Sequence, residues 1–279
     1  MMNRYEISIV ETRNVIKALL DTYGYDFRDY ALTSFKRRLV DVITSNGLKD
    51  AEALVSRLQS NKAIFEQFLK DITPETTEMF RDPSLWRMLR EDVITEIAKN
   101  TSKPKVWVAA FDSGEELYSL CILLKEMNVL DQFQVYASIF SDHTLKKIQQ
   151  GRVDAKQLEI NEANYERSNG SAKYSDYYSL AHGNGTLIID TSLIQGVTFV
   201  KQDTLFNNAP SSIHLALLRN QLIYYNQILQ DKTLNALHSS LVPGGYLILG
   251  SKETLVNTNA TNKFTVINDG EKIYKKKTG

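Results

Sequence analysis

Apolar positions recur three and four apart from Ile7 to about Lys99, as in residues 51–58 (AEALVSRL) and 63–72 (AIFEQFLKDI), with almost no strand-like alternation. This predicts an all-α domain over residues 1–99. Residues 100–105 (NTSKPK) combine turn formers with a proline and predict a linker. The texture then changes. A short apolar run at 106–111 (VWVAAF) predicts a strand, residues 116–127 a helix, 133–140 a second strand and 141–150 a second helix that Ser141 or Asp142 can cap. Strands alternating with helices predict a parallel α/β sheet. Further strands are expected at 186–190, 197–201, 213–218 and 246–250, with a long helix over 227–241. The end of the chain, KFTVINDGEKIYKKK, predicts two strands joined around Asn268, Asp269 and Gly270. Residues 151–195 are mostly polar and rich in Tyr, Ser, Asn and Gly, which predicts an insertion within an α/β domain spanning 106–279.

Composition narrows the function classes. The 279 residues carry 33 basic and 33 acidic side chains. A molecule without net charge has no long-range field to draw it onto nucleic acid or anionic lipid, so neither is an expected partner. The first 100 residues hold 15 basic and 16 acidic side chains, and their one local basic cluster is Lys36, Arg37 and Arg38 in LTSFKRRLVDVI. No apolar run approaches the roughly 18 residues of a membrane span. Residues 1–25 lack the apolar core of an export signal. A single cysteine, Cys121, can form neither an internal disulfide nor a thiolate metal cluster, and suits a cytoplasmic protein. His143, His182, His214 and His238 are scattered without metal-ligand spacing, so no metal site is expected.

Candidate chemistry begins at the first strand-to-helix turn, AAFDSGEELYS over 109–119, because ligands of open α/β sheets sit at the carboxyl ends of strands. Gly114 could let the backbone approach a ligand, and Glu115 and Glu116 favour the helix end or a cationic group. The same residues could equally do no more than cap a helix.

Four stretches in fixed order carry more. TTEMFRDPSLW holds Thr77, Phe80, Arg81, Asp82 and Pro83; DSGEELYS runs from Asp112 to Ser119; LRNQLIYYN holds Arg219, Asn220, Ile223 and Tyr224; and LVPGGYLILGSKETL runs from Leu241 to Leu255. Taken together, residues 25–277 resemble the CheR-type chemotaxis-receptor methyltransferases. That resemblance implies a Rossmann-like domain with a small β insertion behind an all-α domain. It also implies methyl transfer from S-adenosylmethionine to protein glutamates, leaving S-adenosylhomocysteine, with a chemoreceptor cytoplasmic domain as the protein substrate. It implies Arg81 and Tyr224 at the transfer site. Thr77, Arg81, Gly114, Glu115, Glu116, Asp203, Arg219 and Asn220 would hold the cofactor.

Some positions depart from the pattern. Where the family carries an acid after the second strand to accept bonds from the ribose hydroxyls, this chain has Ile139, and Asp142 three residues on could substitute. The family's asparagine near the adenine is Asp203 here, and Met79 replaces an aromatic. The basic helix is thinned to Lys36, Arg37 and Arg38, followed by Asp41. Ile139 and the thinned helix leave a CheR-like binding or scaffold protein as an alternative to a receptor methyltransferase, and a small-molecule methyltransferase is a further one if the helical domain covers the pocket and leaves no room for a protein side chain.

Overall fold

The computed structural model describes residues 6–72, 77–110, 113–181, 185–203 and 206–278. Four helices come first: α1 (Ile9–Tyr23), α2 (Leu32–Ser45), α3 (Ala51–Ser60) and α4 (Lys62–Ile72). Ser8 and Glu11 form a reciprocal capping box on α1, and Gly24 ends it in the left-handed region at φ 75°. Val15, Leu19, Phe35, Leu39, Leu54 and Phe68 bury the apolar stripes against one another.

The helical pattern continues to residue 100, but its packing changes partner. Helix α5 (Pro83–Met88), a π-helical turn over Leu89–Val93 and α6 (Ile94–Asn100) bury Leu85, Trp86, Leu89 and Ile94 in the same core as Val106, Val108 and Leu120. These helices therefore lie on the second domain, not with α1–α4. Periodicity reports that a helix buries one face; it does not report against what.

The second domain is built on a mixed sheet. In chain order its strands are β1 (Lys105–Val108), β2 (Gln134–Ile139), β6 (Thr198–Lys201), β7 (Ile213–Leu218), β8 (Leu241–Leu249), β9 (Phe264–Asn268) and β10 (Ile273–Lys276). Among the described residues the spatial order is β6-β2-β1-β7-β8-β10-β9. The first five run parallel, and β10 is antiparallel to both β8 and β9. Trp107, Ala216 and Leu247 face the core shared with α1–α4 and α10 (Gln227–Ser240), while Val106, Leu215 and Ile248 face the other side. Both faces being covered explains why the central strands read as unbroken apolar runs. Helices α7 (Glu115–Glu126) and α8 (Asp142–Gln149) follow β1 and β2, and Ser141 caps α8 by accepting from Thr144 N at 3.1 Å.

The insertion contains β3 (Arg152–Asp154), helix α9 (Leu158–Arg167), β4 (Tyr178–Leu180) and β5 (Thr186–Ile189). Its three strands pair antiparallel in the order β3-β5-β4, so the strand expected at 186–190 belongs to this small sheet. Helix α9 has no counterpart in the sequence expectation, because it buries Asn161, Asn164 and Tyr165 instead of an aliphatic stripe.

The two domains meet along residues 24–31. Tyr25 Oη donates to Phe140 O at 3.1 Å, Ala31 N to Tyr224 O at 2.8 Å and Asn226 N to Asp29 O at 2.9 Å. Lys232 pairs with Asp29 at 2.8 Å. No described helix is long and apolar enough to cross a membrane.

Candidate active site

Arg219 follows the carboxyl end of β7 and is 4% exposed. Its Nη1 donates to Glu116 Oε2 at 2.9 Å, and its Nη2 to Arg81 O at 3.1 Å and to Asp82 Oδ2. Removing a guanidinium from water costs several kcal/mol unless charges and acceptors replace the lost solvent. Two carboxylates and a carbonyl do so here. Glu116 stands in the first turn of α7, beside buried Glu115, whose carboxylate accepts from Ser113 Oγ. The turn requires Gly114, which has φ 107°, and a Cβ there would lie 2.7 Å from Ile148 Cγ1. Asp112 lies outside the described residues.

The segment 77–82 brings Arg81 to the same place. Phe80 at φ 53° and Asp82 at φ 58° put both neighbours of Arg81 in the left-handed region. Asp82 is drawn to Arg219, and Glu78 accepts from Asn164 Nδ2 at 3.3 Å. Neither of the local carboxylates that could have neutralised Arg81 does so. Among the described residues its guanidinium makes no hydrogen bond or ion pair, although Arg81 is partly buried. Thr77, at the start of this segment, is also partly buried.

A second buried acid organises the turn after β7. Glu253, 3% exposed, accepts from Asn220 N at 2.9 Å, Leu222 N at 2.6 Å and Gly250 N at 2.7 Å. Burial pushes its carboxyl up, and these backbone donors oppose that shift. Asn220 takes φ 58° in this turn. The sequence signal for Glu253 is its place shortly after the Pro-Gly-Gly strand.

The other expected residues have partners of their own. The Tyr224 ring lies under the Arg38 guanidinium, 4.4 Å from its centroid, in a cavity between the domains lined by Phe27, Tyr30 and Gln221. Arg38 is thus turned inward from the basic cluster, and burial lowers its pKa. Asp142 is exposed at the surface and pairs with Lys201 at 2.8 Å, which holds its carboxyl below the usual range. Ile139, at the end of β2, is 4% exposed. Asp203 accepts from Asn207 N at 3.2 Å. Cys121 is buried, and desolvation pushes its thiol up to about 12, as suits a packed side chain. His182 lies outside the described residues.

Comparison with known proteins supplies the chemistry. Residues 11–73 match the CheR methyltransferase all-alpha domain and residues 75–272 the CheR methyltransferase SAM-binding domain. The chain is 34% identical to Cher3 of Pseudomonas putida, itself assigned only provisionally as a methyltransferase, over 96% of this chain and 97% of that protein. Chemotaxis protein methyltransferases of Listeria innocua and Vibrio anguillarum are 25% and 29% identical, covering 84% and 85% of this chain and 86% and 80% of theirs. The cofactor is therefore S-adenosylmethionine, and the donor set fits its amino-acid end. The Arg81 guanidinium, without a partner among the described residues, suits a carboxylate, and the buried acids of α7 suit an ammonium. With both of its domains matched, the chain belongs to the CheR methyltransferase family.

Proposed function

We propose that this methyltransferase esterifies glutamate side chains of a protein substrate, with the cytoplasmic domain of a chemoreceptor as the first candidate. The names of the Listeria and Vibrio relatives support that substrate class, and such a substrate places the reaction in the cytoplasm. S-adenosylmethionine supplies an electrophilic methyl on a sulfonium. A glutamate is already ionised at pH 7, so the protein needs no strong base, and catalysis rests on alignment.

The observation that carries this reading is the Arg81 guanidinium, without a partner among the described residues, on a backbone held beside the Glu116–Arg219 pair by the bond from Arg219 to the Arg81 carbonyl. A guanidinium there can pair with a carboxylate in two-point geometry. Glu115 or Glu116 would face the methionine ammonium, Asn220 and Asp203 would contact the nucleoside, and Tyr224 would line the transfer site. Mass spectrometry of a receptor cytoplasmic fragment after incubation with enzyme and cofactor tests the proposal. Methyl groups should appear on glutamates, and Arg81→Ala should abolish most of them.

One observation favours a second reading, a CheR-like protein with a weakened cofactor site that acts by binding. Ile139 cannot accept a bond from a ribose hydroxyl, and Asp142 is engaged with Lys201. Calorimetric titration with S-adenosylhomocysteine separates the two, since micromolar affinity supports the enzyme.

A further inference from the structure

The segment that carries Arg81 does not hold its own shape. Phe80 and Asp82 both adopt positive φ, a conformation that side-chain-bearing residues keep only when the surroundings enforce it. One enforcing group is local, Trp86 Nε1, which donates to Arg81 O at 2.9 Å, and the others come from distant elements. Asn161 Oδ1 accepts from Met79 N at 2.9 Å, and Asn164 Nδ2 donates to Met79 O at 3.2 Å, so two side chains of α9 grip both sides of one residue. Ser119 Oγ, on α7, accepts from Phe80 N at 2.8 Å and donates to Glu115 O at 2.7 Å. Arg219 holds the carbonyl of Arg81 itself. The Phe80 ring packs edge-on against Tyr165 of the same α9, with centroids 5.2 Å apart.

Asn161 is fully buried and Asn164 nearly so. Two amides placed one helical turn apart on α9 and turned inward are costly unless their bonds matter. Both bond the backbone of Met79, one residue before Phe80. Helix α9 belongs to the insertion, between β3 and β4. The insertion thus reaches the cofactor side of the molecule through these amides.

We propose that Asn161, with Ser119, is a positioning residue for Arg81: by gripping Met79 N and Phe80 N they hold the left-handed backbone that presents the Arg81 guanidinium. The inference rests on the role of Arg81 proposed above. The insertion is then a structural part of the active site as well as an appendage to it.

A double-mutant cycle tests this on the full chain, reading S-adenosylhomocysteine affinity by calorimetry and thermal unfolding in parallel. Asn161→Leu should weaken binding about tenfold in the wild-type background and change it less than twofold in the Arg81→Ala background, because its effect passes through Arg81. Equal losses in both backgrounds would overturn the proposal, since they would show a general loss of structure. If Asn161→Leu does not fold, Ser119→Ala, which removes the acceptor for Phe80 N from a helix interior, carries the same cycle and the same two outcomes. If Arg81→Ala alone leaves binding and transfer unchanged, the role of Arg81 fails, and the positioning proposal falls with it. That result is distinct from additivity.

Discussion

Arg219 and Glu116 form a buried ion pair at 2.9 Å, with 2% and 5% of their side chains exposed, although they stand 103 residues apart. The pair joins the end of β7 to the first turn of α7 and fixes the floor on which Arg81 and Asp82 rest. Breaking it should leave Glu116 charged and unsolvated. Arg219→Met is expected to cost about 3–5 kcal/mol of stability in urea titration. The double variant Arg219→Met/Glu116→Leu should recover part of that loss. Equal stability of the single variant and wild type would show that the pair contributes nothing.

Gly250 closes the turn that presents Asn220. An added Cβ would lie 2.7 Å from both Asn220 N and Asn220 Oδ1, and 2.8 Å from Glu253 Oε2. Backbone and a buried carboxylate cannot both move aside, so Gly250→Ala should cost about 1–3 kcal/mol. It should also weaken binding of S-adenosylhomocysteine. An unchanged thermal midpoint would contradict the packing described here.

Ile139→Asp separates binding from stability. The position is 4% exposed, so a carboxylate there should lower stability by about 1–3 kcal/mol or more. If the ribose hydroxyls lack an acceptor, the same change should tighten S-adenosylhomocysteine binding about tenfold, equivalent to about 1.4 kcal/mol. Calorimetry and thermal unfolding of the one variant read the two effects independently. Unchanged affinity would mean that another group already accepts those bonds.

The acid limb of stability should depend on Glu96. Its carboxylate accepts from Lys275 Nζ at 2.7 Å and Tyr246 Oη at 2.6 Å, tying α6 to β8 and β10, and these bonds hold its pKa below the usual glutamate range. A carboxyl lowered on folding contributes stability above its unfolded pKa and loses it as pH falls through the lower folded value. Glu96→Gln should therefore flatten the fall in stability on acidification. The contribution is small because Glu96 is half-exposed. Parallel acid limbs in variant and wild type would contradict it.

Much of the architecture is legible in the chain because strands and helices advertise themselves locally. The alternation after residue 105 marks a parallel sheet, and Asn268, Asp269 and Gly270 mark the final hairpin. The family resemblance is equally legible, since its four motifs lie in order. What stays hidden is which charges find one another. Asp142 is taken up by Lys201, 59 residues away, and Arg38 leaves its basic cluster to cover Tyr224. Nothing in the spacing of residues 36–38 says which of the three cations turns inward. Helix α9 is hidden for a different reason: its buried face is polar, with Asn161 and Asn164 bonded to the backbone of Met79, so no apolar stripe announces it.

Methyl-ester formation on protein glutamates is the activity proposed for this CheR-family chain. The most direct measurement incubates purified protein with methyl-labelled S-adenosylmethionine and chemoreceptor cytoplasmic fragments, then treats the protein with base and counts volatile methanol. Enzyme-dependent, base-labile radioactivity is expected, falling at least a hundredfold, about 2.7 kcal/mol of transition-state stabilisation, in Arg81→Ala. Label that resists base, or no transfer to any glutamate-rich substrate, would contradict it.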